Sequence, residues 1–313
     1  MNNMIRFWNQ NRKGIIASVI VIVFLIVIVQ ILNEITKKQM NEKQEKTENL
    51  RIEEMNLPSR SIITGEKVSI EATKTNTSLI KEFVNMCNNK EIDNAYELLT
   101  DDCKEANFPT KQLFIENYYN LIFLNKQNFD IENYYNDSEI YTYKIKYYVD
   151  SLSTGNISNN SYTDYITVNE MSNKGKLNIS NFIKKEKIDS YEEKDGIKIT
   201  VVSKNIYLNY EKYNVIVENK TGKEIMINTN EKRETINIQT QNGIKYGANM
   251  TDISNNLLKI EPYMSRNYIM RFNKNYNPDI DIDSVNFEDI VSDYNRDIYT
   301  PEDKERIKIK INI

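Results

Sequence analysis

Histidine is absent from this 313-residue chain, and that one gap removes whole classes of chemistry. There can be no Ser-His or Cys-His dyad and no histidine metal ligand. Acid–base work would fall to Asp, Glu, Lys, Tyr or Cys. Glycine is scarce, at 8 residues, and no Gly-rich phosphate loop, nucleophile elbow or paired-carboxylate signature occurs. Two cysteines are too few for a structural zinc site. Charge of one sign is lacking as well: 41 basic against 45 acidic residues leave a net −4, whereas a nucleic-acid-binding surface wants a strongly basic face. No cofactor, no metal ion, no catalytic residue and no direct nucleic-acid contact are therefore expected.

The chain does contain a long apolar run, Ile15 to Leu32 (IIASVIVIVFLIVIVQIL), interrupted only by Ser18 and Gln30. As a helix it would cover about 27 Å, close to the hydrocarbon thickness of a bilayer. Arg6, Arg12 and Lys13 precede it with no acidic residue, which predicts a cytoplasmic N-terminus. Gln30 to Glu34 offers no small-residue cleavage site, so the reading is an uncleaved single-pass anchor with the bulk outside the cell membrane. The Asn, Ile, Lys and Tyr bias (21 Tyr, 5 Pro) reads as an AT-rich bacterial genome rather than as chemistry.

The predicted organisation is a tail over 1–14, a transmembrane helix over 15–32, a charged spacer over 33–76, an α+β cone domain over 77–190 and a β-sandwich over 196–313. The polar gap from Asn41 to Asn49 breaks any heptad, which favours a solvated spacer over a coiled coil. From Thr77, Leu79, Ile80, Phe83, Val84, Met86 and Cys87 share a helical face. Ile92 to Leu99 makes a second helix, Thr100 reads as a cap, and Pro109-Thr110 opens a third helix through Leu113, Phe114, Tyr118, Leu121 and Ile122. The period then becomes 2, with strands at Phe129–Tyr135, Glu139–Val149, Tyr162–Val168 and Lys176–Ile183. Tyr191 to Asp195 reads as a connector. Beyond it short strands (197–203, 213–219, 224–228, 234–240, 268–273, 306–313) and turns such as Gln241-Asn-Gly243 point to two packed sheets, with Ser284 to Tyr294 as a helical insertion.

Helices followed by an antiparallel meander, with Ile80-Lys-Glu-Phe-Val-Asn-Met-Cys87 and Ile92-Asp-Asn-Ala-Tyr-Glu-Leu-Leu-Thr100 at the opening, resemble the nuclear-transport-factor-two-like superfamily. That resemblance implies a curved sheet wrapped on a helix, with a concave face that is either pocket or core. Val215-Ile-Val-Glu-Asn-Lys-Thr-Gly222 resembles immunoglobulin-like sandwiches of Gram-positive secreted lipoproteins. Anchor, spacer and cone in that order resemble the assembly subunits of conjugative-transfer (type IV secretion) channels. The resemblance implies a non-catalytic scaffold whose partners are the membrane, envelope proteins and further copies of itself. The competing readings are an extracytoplasmic ligand- or wall-binding protein and an enzyme of the cone superfamily.

Three constellations stand out. Cys87 and Cys103 lie outside the membrane and are either a disulfide or two buried thiols. Tyr118, Tyr143 and Tyr147, with Tyr119 beside them, are candidates to line a pocket in the cone; no Asp is expected at an inward strand position next to them. Asp279-Ile-Asp-Ile-Asp283 has carboxylates two apart, but Ser284 and Ile290 occupy the calcium-loop Gly and Glu positions, so it reads as an exposed strand face or loop.

Overall fold

The 3.6 and 2 periods of the sequence become helices followed by antiparallel strands, and the fold class is α+β. The computed structural model describes Gln30, Ser61, 69–136, 140–149, 161–169, 175–295 and 300–313. The described residues fall into two units, one holding Ser61 and 75–313, the other Gln30 and 69–74. The tail, the anchor (Gln30 apart) and most of the spacer lie outside the described residues. Among the described residues no helix is long and apolar enough to cross a membrane.

Helix α1 (Ile70–Asn88) begins seven residues before the expected Thr77. Its start is set by Ser69, whose hydroxyl accepts the Ala72 N–H at 3.0 Å, so a stretch with no apolar stripe is helical because it is capped. Short helices α2 (Ile92–Glu97) and α3 (Asp101–Asn107) follow, the latter capped by Thr100, whose Oγ1 accepts the Cys103 N–H at 3.0 Å. Helix α4 (Lys111–Phe114) is capped by Thr110 and runs through a π-turn (Ile115–Tyr119) into α5 (Asn120–Ile122). The π-turn advances the inward face by about one residue, burying Tyr118, Tyr119, Ile122 and Phe123 and turning Leu121 outward.

Strands β1 (Asn128–Asn136), β2 (Ile140–Tyr148) and β3 (Ser161–Asn169) form an antiparallel sheet in that order. Its inward side chains meet α1 to α5 in a core rich in rings: Phe83, Phe108, Phe114, Tyr118, Tyr143, Tyr147, Phe182 and Tyr207. The expected fourth strand of this sheet is absent there. Asn178 makes only a bridge to Thr167, and β4 (Phe182–Lys194) joins a different sheet. The connector expected at Tyr191 to Asp195 is thus the end of β4 and its tight turn, with Asp195 and Gly196 both at positive φ, leading into β5 (Ile197–Tyr207).

The rest of the chain forms two sheets around one aliphatic core of Ile197, Ile199, Val201, Val215, Val217, Ile238, Val285, Ile309 and Ile311. Strands β4, β5, β6 (Glu211–Asn219) and β11 (Ser265–Phe272) make one, in the order β11-β6-β5-β4. The other contains β7 (Ile225–Met226), β8 (Ile236–Thr240), β9 (Lys245–Gly247), β10 (Lys259–Ile260), β12 (Ile282–Ser292) and β13 (Ile307–Asn312). The expected helical insertion at Ser284 to Tyr294 is instead the central strand β12, paired with β8, β7 and β13. Register shifts between Ile282 and Ser284 and between Phe287 and Ile290 break its period of 2, and that is what concealed it.

Candidate functional site

The densest chemistry lies in the ring-rich core, at a residue the sequence reading excluded. Asp164 of β3 stands opposite Ile145 of β2 and is 1% exposed. Its Oδ2 accepts from the Tyr118 hydroxyl at 2.8 Å and from Ser180 N at 3.2 Å, and its Oδ1 from Tyr165 N at 2.7 Å. The Tyr147 hydroxyl lies 3.4 Å from that of Tyr118. The expectation that no Asp points inward beside these tyrosines is corrected. The signal was parity: Asp164 is in phase with Ile166 and Val168, both buried.

Local structure explains why each group is there. The π-turn aims Tyr118 inward, stacked on Phe114 with centroids 5.7 Å apart. Ser180 and Asn181 both have positive φ, a conformation uncommon for serine, and the turn they make presents an N–H to the carboxylate. The burial that isolates Asp164 pushes its carboxyl up to about 6, against the pull of the donors around it. Burial and the neighbouring carboxylate hold Tyr118 well above the ordinary tyrosine range, and Tyr147 likewise. At pH 7 the group is a carboxylate whose bonded donors among the described residues are all neutral. Such a set holds the components for proton transfer, but it is enclosed by its own core.

The other predicted residues separate. Tyr143 shares this core but bonds Asn76 Nδ2 at 3.3 Å rather than Asp164. Tyr119 stacks on Phe123. Cys87 and Cys103 are buried free thiols; burial raises Cys87 far above the thiol range and Cys103 to about 12, which leaves both unreactive at neutral pH. Asp283 bonds Lys310 at 2.9 Å while Asp279 and Asp281 face solvent, and no group of three or more acidic or thiol ligands stands together among the described residues.

The two-sheet region has polar clusters that the sequence did not reveal. Arg306 bonds Asp289, Thr229 and, at 2.6 Å, Glu231. Lys274 pairs with Glu211 at 2.8 Å, both nearly inaccessible, and Glu211 also accepts from Tyr213. Beside the first cluster opens a cleft of about 570 Å³, bordered by Glu224, Asn230, Asn255, Lys259 and Tyr294. No family model matches this chain, and no curated protein or solved structure is significantly similar to it.

Proposed function

We propose that the chain is a non-catalytic, membrane-anchored extracytoplasmic scaffold. In this reading a nuclear-transport-factor-two-like cone and an immunoglobulin-like β-sandwich stand on a single N-in span. Its role is that of a subunit in a conjugative-transfer-like channel. The observation that carries the reading is the closure of the cone: rings fill its interior, and the Asp164 oxygens are taken by Tyr118, Ser180 and Tyr165 rather than presented to a substrate. On its outside, Leu121 and Leu124 are 66% and 77% exposed at the end of the helical layer, where apolar side chains favour protein contact.

Crosslinking in intact cells tests the reading. Recovery of the same envelope proteins from wild type and from Tyr147→Phe, with DNA transfer intact in both, is the expected result. Loss of activity in Tyr147→Phe with folding and partner capture unchanged would make the site chemical. Protease added to protoplasts is expected to remove the ectodomain; full protection of the C-terminal part would end the topology. A second reading, an extracytoplasmic ligand-binding protein, is favoured by the polar cleft at Asn230, Asn255 and Lys259.

A further inference from the structure

Strand register aligns a row of polar side chains across the four-stranded sheet, on the face turned away from the aliphatic core. Lys185 of β4 stands opposite Asn205 of β5, Asn205 opposite Lys212 of β6, and Lys212 opposite Arg271 of β11. Directly opposite residues share a face and touch. Lys185 is neutralised by Glu105 at 2.7 Å. Lys212 and Arg271 are not: no carboxylate among the described residues forms an ion pair with either. Two like charges opposite one another are unfavourable in a sheet, so their retention without a counter-charge requires a reason.

The groups beneath them are ordered. The Arg271 guanidinium lies 4.0 Å from the centre of the Tyr210 ring, and Tyr210 stacks on Tyr207 with centroids 4.4 Å apart. Lys212 Nζ sits 5.2 Å and 5.7 Å from the same two rings. The Tyr207 hydroxyl donates to Asn107 Oδ1 at 2.8 Å, tying the stack to α3. Stacking uses the face of a guanidinium and leaves its N–H edge open for bonding. Within the row Arg271 Nε and Asn205 Oδ1 are buried and unpartnered, a donor and an acceptor. Burial, and then the charge of Arg271, lower the Lys212 ammonium below its usual range, with Asp252 the acid that opposes this. Asp252 itself takes the Asn249 amide at 3.2 Å.

We propose that Lys212, Arg271 and Asn205, carried on the Tyr207–Tyr210 stack, form a binding site for a phosphate-class oxyanion. The arginine fork takes two oxygens, the lysine a third, and the Asn205 carbonyl accepts from a protonated oxygen or a ligand hydroxyl. Two adjacent cations match a tetrahedral group with several acceptor oxygens better than they match a single carboxylate. The source is either a free phosphate ester or the phosphodiester of a lipid headgroup. The site is independent of the proposed scaffold role.

Calorimetric titration of the full chain with inorganic phosphate, at pH 7 and fixed ionic strength, tests the site. Saturable binding is expected, weakened roughly tenfold or more by Lys212→Gln or Arg271→Gln, the loss of a charge-assisted bond. Lys310→Gln, outside the row, leaves it unchanged. Without phosphate both row variants should melt at or above the wild-type temperature, because like-charge repulsion is relieved; that result separates a ligand site from a structural one. Arg271→Lys, which keeps the charge and loses the fork, should bind with intermediate strength. Glycerol 3-phosphate and glycerophosphoglycerol separate the two sources by which binds more tightly. Absence of saturable binding by all three probes, or equal binding by wild type and both Gln variants, overturns the proposal. So does a lower melting temperature in both variants with phosphate affinity retained.

Discussion

The ring-rich core and the aliphatic core solve the problem of buried charge in opposite ways. In the first, Asp164 has no cation bonded to it among the described residues, and burial raises its proton affinity against the pull of the neutral donors that satisfy it. In the second, Arg306 meets Asp289 and Glu231, and Lys274 meets Glu211, so buried charges are paired. An uncompensated carboxylate makes the stability of its surroundings pH-dependent near neutrality. Paired charges make removal of either partner expensive.

The largest expected effect comes from breaking the paired side. Arg306→Ala leaves Asp289 buried and unpaired, and urea unfolding should show a loss of about 3–5 kcal/mol. Replacing Arg306 by Met together with Asp289 by Leu should recover most of it. Were the double variant as unstable as the single, the contrast between paired and unpaired charge would be the wrong description.

Next in size is the pH response of the unpaired side. Asp164 titrates near 3.8 when unfolded and about 6 when folded, so between those values the native state binds more protons. Stability should therefore fall by about 3 kcal/mol in total as pH rises from about 3 to 7, most of it between about 4 and 6, and then level off. Asp164→Asn should abolish this slope in unfolding measured at several pH values. On β4 the sign reverses. Burial works against ionisation of Glu186, but Lys184 at 2.7 Å and Lys204 at 2.9 Å hold it below the usual carboxylate range. Its contribution is present above pH 4.5 and is lost as pH falls through the folded value. Hydrogen exchange resolved to β3 and β4 amides should show the two trends crossing.

Smaller effects refine the picture. Tyr118→Phe removes one donor from a buried carboxylate and should cost about 1.5–3 kcal/mol at pH 7 and less at pH 4, where the acid is neutral. Thr100→Ala loses the cap of α3 and should cost about 1 kcal/mol at any pH. A pH-independent loss in Tyr118→Phe would place its value in packing rather than in the bond to Asp164.

Legibility followed periodicity. Strands exposed on one face, such as β2 with Tyr143, Ile145 and Tyr147 inward, were readable from alternation, as were the Thr100 and Thr110 caps. β12 was unreadable because two register shifts break its alternation, and β4 because a strand that passes from one core to the next carries no local mark. Asp164 was within reach, since its parity with Ile166 and Val168 is a sequence fact. The expectation that carboxylates face solvent outweighed it.

By itself the sequence determined the α+β class, the succession of helices then strands and the exclusion of histidine chemistry, because these depend on composition and on periods of 3.6 and 2. Tertiary structure alone decided which strand joins which sheet, that Tyr118 and Tyr147 converge on Asp164, and that Lys212 and Arg271 stand together with no ion-paired carboxylate among the described residues. Each of those depends on partners distant in the chain, and strand register and a π-turn, rather than local spacing, bring them together.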